Sequence, residues 1–202
     1  MKKDITKAIL QLKPYQSIIY FLLMFFGAHF LWKWVVDGDL HSQQIAIFGV
    51  DYTAQFYEIS KFTTRIIYWF SCLFPNTDDL FMRDTRLWFY NGHITLSIIW
   101  GCTGIKQLYS FLLLMLFYPG PWRKKLWYLP MGSAVLFFYN IVRISAILFL
   151  TYRHPERFDS LHEGVFRYIY YGLIFLLWVI WEEAVRKKQE TGKDVLSNQS
   201  DQ

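Results

Sequence analysis

Apolar residues in this chain come in four long blocks separated by short polar stretches. The first reads YQSIIYFLLMFFGAHFLWKWVV, from Tyr15 to about Val36. The others run from about Cys102 to Tyr118, from about Leu126 to Thr151 and from about Val165 to Glu183. A helix needs about 20 mostly apolar residues to cross the hydrocarbon layer, and these blocks approach or exceed that length. Trp32 and Trp34 lie at the far end of the first block, where indoles favour the membrane–water interface. Pro119, Gly120 and Pro121 end the second. The pattern predicts an all-α fold, with residues 1–202 forming a single membrane-embedded bundle of about four transmembrane helices. The tail after Arg186 is polar.

Between the first two blocks the pattern changes. Residues 37–55 read as a polar loop. Tyr52 to Phe74 is apolar but carries Glu58, Lys61 and Arg65, while Tyr52, Phe56, Ile59, Ile66, Trp69, Phe70 and Leu73 recur at helical spacing. Charges near the centre of a span cost several kcal/mol each. This segment is therefore expected to be an interfacial or re-entrant amphipathic helix. Pro75 and the Asp78–Asp79 pair end it. Next, RLWFY and HITLSI flank Asn91–Gly92, a strong hairpin signal, which predicts a short external β-hairpin.

Composition changes the picture in one respect. The chain is 54% hydrophobic and 21% aromatic, above what a soluble domain of 202 residues carries, so the blocks read as spans rather than core helices. The formal charge is +5, but the basic residues sit beside the blocks: Lys2, Lys3, Lys7 and Lys13, then Arg123, Lys124 and Lys125, then Arg186, Lys187 and Lys188. That is the positive-inside pattern of a multispanning protein, and it leaves no basic face for nucleic acid. The partner so implied is the lipid bilayer. Four spans place all three clusters in the cytoplasm, with both termini; a fifth span at Tyr52–Phe74 would misplace one. The expected location is the cell inner membrane. The first block is too long for a removable signal and has no small-residue cleavage site. Cys72 and Cys102 form no CxxC, and the five histidines show no metal-ligand spacing, so neither metal nor organic cofactor is expected.

On this topology Cys102 opens the second span at the outer face, His162 opens the fourth there, and Arg143 lies in the outer half of the third. Ionisable residues inside a membrane are costly and usually functional. Arg143 could also snorkel, or pair with an acid. Asn140 stands three residues before it on the same helix face. Cys102 alone reads as a small buried hydrophobe, but a thiol at a helix N-terminus gains thiolate character. Gly101 and Gly104 let backbone approach closely. His162 reads as a loop histidine or as a base. Lys106, one turn below Cys102, either meets the thiolate or the substrate or snorkels outward. His29 reads as an interfacial polar side chain. Together a thiol, an imidazole and a fixed positive charge fill the roles that acyl transfer needs.

GCTGI, NIVRI and LHEG, in this order and each at the outer end or outer half of a span, resemble the exosortase/archaeosortase family, in a compact bacterial form. The resemblance covers about Gly92 to Glu183. The family's cysteine motif, alanine-cysteine-serine-glycine, matches at Cys102 and Gly104 and departs at Gly101 and Thr103. Its arginine matches Arg143, with an asparagine at Asn140, and its histidine matches His162. The resemblance implies a membrane-embedded cysteine protease and transpeptidase. Its substrates would be exported proteins ending in a short motif, a transmembrane helix and a basic tail, transferred to an acceptor amine. Two other readings stay open: a non-enzymatic scaffold subunit of an export or polysaccharide system, and a thiol–disulfide protein pairing Cys72 with Cys102.

Overall fold

A computed structural model describes residues 16–38, 43–75, 77–90, 95–153 and 164–183. The described chain is mostly helical. Helix α1 (Gln16–Val35) leads into strands β1 (Val36–Gly38), β2 (Ile45–Ile47) and β3 (Val50–Asp51). Helix α2 (Thr53–Ser71) is followed by β4 (Leu80–Arg83), β5 (Arg86–Phe89) and β6 (Thr95–Ser97). A 3-10 turn, Trp100–Cys102, precedes α3 (Ile105–Phe117), α4 (Trp122–Arg153) and α5 (Phe166–Trp181).

Helix α1 is apolar on every side. It buries one seam, Phe21, Ala28 and Trp32, and leaves Leu23, Phe26, Phe30 and Trp34 bare. A helix greasy all round yet exposed on most sides suits a lipid surround, not water. By length and composition two helices can cross a membrane, Gln16–Val35 and Trp122–Tyr152. The other apolar helices are shorter: α3 has 13 residues and α5 has 16. Helix α3 starts later than the hydrophobic pattern suggests, because Cys102 belongs to the 3-10 turn and Gly104 caps the helix.

Helices α1, α3, α4 and α5 share one core, including Phe21, Phe111, Leu114, Leu136, Tyr170, Ile174 and Trp181. In lipid such a core is held by close packing rather than by escape from water. Phe111 shows how close: its ring occupies the space where a Cβ on Gly132 would stand. A second core lies on another face of α4. There Ile141, Ile144 and Leu148 meet Ile67 of α2 and Leu80, Leu87, Phe89, Leu96 and Ile98.

The β-structure exceeds a single hairpin. β5 pairs antiparallel with β6, with Leu87 opposite Leu96, and β4 adds a third strand on the other edge of β5. The Asn91–Gly92 turn itself lies outside the described residues. Alternation along β5 turns Leu87 and Phe89 into the second core. Residues 37–55, read as a loop from sequence, hold a second antiparallel sheet in the order β1-β2-β3. Its hairpin turns at Phe48 and Gly49, both at positive φ (51° and 77°), the backbone of a type I′ turn.

Helix α2 turns much of its apolar stripe away from the rest of the protein. Its buried face is Ser60, Thr63, Thr64, Ile67 and Ser71, while Ile59, Phe62 and Trp69 are exposed. The buried hydroxyls need partners and find them in the preceding turn: Ser60 donates to Phe56 O at 2.8 Å, Thr63 to Ile59 O at 2.8 Å and Thr64 to Ser60 O at 2.7 Å. Ser71 Oγ donates to Ser145 Oγ of α4 at 3.1 Å. Small side chains let α2 lie close to its neighbours, and Ile59, Phe62 and Trp69 face outward while Ile67 joins the second core.

Candidate functional site

Cys102 closes the 3-10 turn that joins the β4-β5-β6 sheet to α3. Its N–H donates to Ile99 O at 2.9 Å, and Thr103 donates to Trp100 O through both its N–H (3.2 Å) and its hydroxyl (2.6 Å). These bonds hold the turn in shape. Gly104 then lets the chain enter α3. Its φ is +79°, and a Cβ there would stand 2.9 Å from Tyr170 Oη and 3.1 Å from Asn140 Cγ. Backbone conformation and space both demand glycine at this position.

Helix α4 supplies the support. Asn140, fully buried, donates from Nδ2 to Cys102 O at 3.0 Å. This ties the cysteine turn to the helix carrying Arg143, which is buried one turn further on. Tyr170 of α5 donates to Leu136 O at 3.1 Å and fills the space over Gly104.

The turn opens on a cavity of about 300 Å³. Cys102, Gly101, Lys106 and Arg143 line it, joined by His29 and Trp32 of α1, Gln107 of α3, and Arg167 and Tyr171 of α5. Trp32 packs on Tyr109 with ring centroids 5.2 Å apart, which fixes α1 against α3 near this wall. The titratable side chains among the described lining residues are basic, apart from the thiol and the Tyr171 phenol; these lining residues include no carboxylate.

Cys102 is not in the first turn of a helix, as its position in the sequence suggested. It lies two residues before the capping glycine, and its own N–H is spent within the 3-10 turn. Burial pushes its thiol above the ordinary value; a backbone hydrogen bond at Ile99 and the charge of Arg143 pull the other way. An ordinary cysteine is already mostly thiol at neutral pH, and burial works in the same direction, so attack on a carbonyl requires a base.

Of the residues singled out from sequence, the structure brings Cys102, Gly101, Lys106 and Arg143 to one cavity and places Gly104 and Asn140 directly beneath the cysteine turn. His162 lies outside the described residues. Cys72 is an exposed thiol at the C-cap of α2 and is not among the cavity residues. Sequence reasoning missed His29, Trp32, Arg167 and Tyr171 as wall residues. Their i, i+3 and i, i+4 spacings were a usable signal, since each pair falls on one helix face. Among the described residues no group of three His, Cys, Asp or Glu side chains could hold a metal ion.

Compared with known proteins, the chain matches the family model described as transmembrane exosortase over residues 21–180. The match runs from within α1 almost to the end of α5 and takes in all three motif segments. No curated protein and no solved structure matches the chain.

Proposed function

The chain belongs to the transmembrane exosortase family, and from that premise we propose that it is a membrane-embedded cysteine endopeptidase and transpeptidase acting on C-terminal sorting signals of exported proteins. Cys102 attacks the scissile carbonyl; the peptide C–N bond breaks, and the acyl half is held as a thioester. His162 takes the thiol proton and returns it to the leaving amine. Arg143 stabilises the oxyanion or fixes the substrate carbonyl, and the glycines leave room for the substrate backbone. An acceptor amine resolves the thioester, whereas water gives simple cleavage. Helices α1, α3, α4 and α5 span the membrane, α2 lies at the interface with its large apolar side chains toward lipid, and the cavity faces outward.

The observation that carries this reading is the shared cavity of Cys102 and Arg143, with Asn140 bonded to the cysteine's own carbonyl. A packing role for the thiol would require neither a buried cation nor an open cavity beside it. The test is processing of a co-expressed, tagged exported protein that carries a motif, a span and a basic tail. Cys102→Ser should be inserted at normal levels and process nothing, because a hydroxyl is far less acidic than a thiol. Cys72→Ser should process almost normally. Equal loss from both changes would favour a disulfide, and normal processing by Cys102→Ser would favour the scaffold.

A further inference from the structure

Resolving a thioester with an amine needs a proton acceptor; the proposed mechanism regenerates one in His162, which has just given its proton to the leaving amine, and the cavity wall holds a second imidazole. The new C–N bond forms, the C–S bond breaks and the sulfur leaves as thiolate. The attacking nitrogen arrives with two protons and keeps one in the amide, so the other must be taken up. Arginines cannot accept it, and a lysine or a tyrosine holds its own proton at neutral pH unless strongly perturbed. Among the described wall residues, which include no carboxylate, His29 is the side chain whose ordinary range straddles neutrality.

We propose that His29 is a second proton-handling residue of the site: it takes the proton from the amine or water that attacks the Cys102 thioester. This rests on Cys102 being the nucleophile. His29 reaches the cavity from α1, whereas Cys102 precedes α3 and Arg143 comes from α4. The base for resolution then stands on a wall of its own, and the acceptor enters between α1 and the cysteine turn. The charged groups around it are Lys33 on its own helix, Lys106 on α3, Arg143 on α4 and Arg167 on α5. Tyr171 of α5 shares the wall. A neutral acceptor suits that surround better than a cationic one, so the incoming amine reacts in its unprotonated form.

Full-length protein in detergent micelles, treated with p-nitrophenyl acetate and glycinamide, separates the two half-reactions. Nitrophenolate burst amplitude reports acylation of Cys102, and the steady rate reports its resolution. His29→Gln should keep the burst and slow the steady rate by about 100-fold or more, the usual contribution of a general base. Intact-mass analysis should show the acetyl group accumulating on Cys102. Added imidazole should restore turnover in His29→Ala, which a merely structural role would not allow. A normal steady rate in His29→Gln, or loss of its burst, would overturn the proposal. Absence of a Cys102-dependent burst in the unaltered protein would instead overturn the nucleophile assignment.

Discussion

Arg143 is the residue where packing and chemistry make opposite demands. Burying a guanidinium in apolar sequence is costly, and a structural cation could be replaced by any other of similar reach. A guanidinium that forks two hydrogen bonds to a carbonyl or oxyanion has no substitute in lysine's point charge. Arg143→Lys should therefore lose most processing at equal membrane levels, by about 100- to 1,000-fold if one oxyanion contact is lost. A second readout follows from the thiol. Arg143 favours the thiolate of Cys102 against the effect of burial. Removing the cation leaves only the backbone hydrogen bond at Ile99 to oppose burial, so in Arg143→Ala the pH midpoint for alkylation of Cys102 should move upward. Near-normal processing by the lysine variant would reduce Arg143 to a charge, and an unmoved midpoint would separate it from the thiol. Cys102, Asn140 and Arg143 stand out in the amino-acid sequence because a thiol, an amide and a guanidinium are unusual in apolar blocks, and the fold sets them together. His29 and Arg167 do not stand out as wall residues. Spacing shows which face of a helix a residue occupies, but not how α1 and α5 are rotated about a cavity whose other walls are distant in sequence.

Helix α2 shows where pattern reading succeeds and fails at the scale of an element. Its helical period follows from the sequence, and the observed helix, Thr53–Ser71, falls within the stretch read as Tyr52 to Phe74. Which residues would meet the protein did not, because an apolar stripe on an interfacial helix can turn to lipid or to the core. Small hydroxylated side chains pack inward, and Phe62 and Trp69 are left outside. Lys61 holds the helix to the turn between β4 and β5 through Asp84, 3.5 Å away. Strands β1 to β3 were missed for another reason. They are two or three residues long, too short to show alternation, and their turn at Phe48–Gly49 lacks the Asn-Gly or Asp-Gly signal. The outward face of α2 can be checked with a nitroxide at position 69, using Trp69→Cys in a Cys72→Ser, Cys102→Ser background. In vesicles the label should be accessible to oxygen and only partly accessible to a water-soluble nickel chelate, as at an interfacial depth. Full protection from the chelate would place α2 deep in the bilayer and make it a fifth span.

For the whole molecule, the question is which end of the bundle faces which side. The end opposite the cavity is closed by a polar knot. Glu182, at the C-cap of α5, accepts from Ser17 Oγ at 2.8 Å and from Tyr118 Oη at 2.6 Å. Lys125 donates to Leu116 O at 2.8 Å and to Tyr118 O at 2.6 Å, satisfying carbonyls that the end of α3 leaves open. The start of α1, the link from α3 to α4 and the end of α5 therefore meet at one end, and the three basic clusters of the sequence adjoin those same points. Such clusters stay on the cytoplasmic side. Four crossings connect these points with every cluster inside, provided that α2 does not cross. On that topology the cavity opens on the other side, as the proposed reaction on exported proteins requires. Reporter fusions at Lys3, Lys124 and Lys188 should read cytoplasmic, and fusions at Thr85 and Glu156 should read external. Thr85 decides the matter because it lies in the turn between β4 and β5, after α2 and before the cysteine turn. A cytoplasmic signal at Thr85 would require α2 to span. It would also put the sheet that packs beside Cys102 on the wrong side for a substrate that has already left the cytoplasm, and the sorting chemistry assigned to this cavity would fall with it.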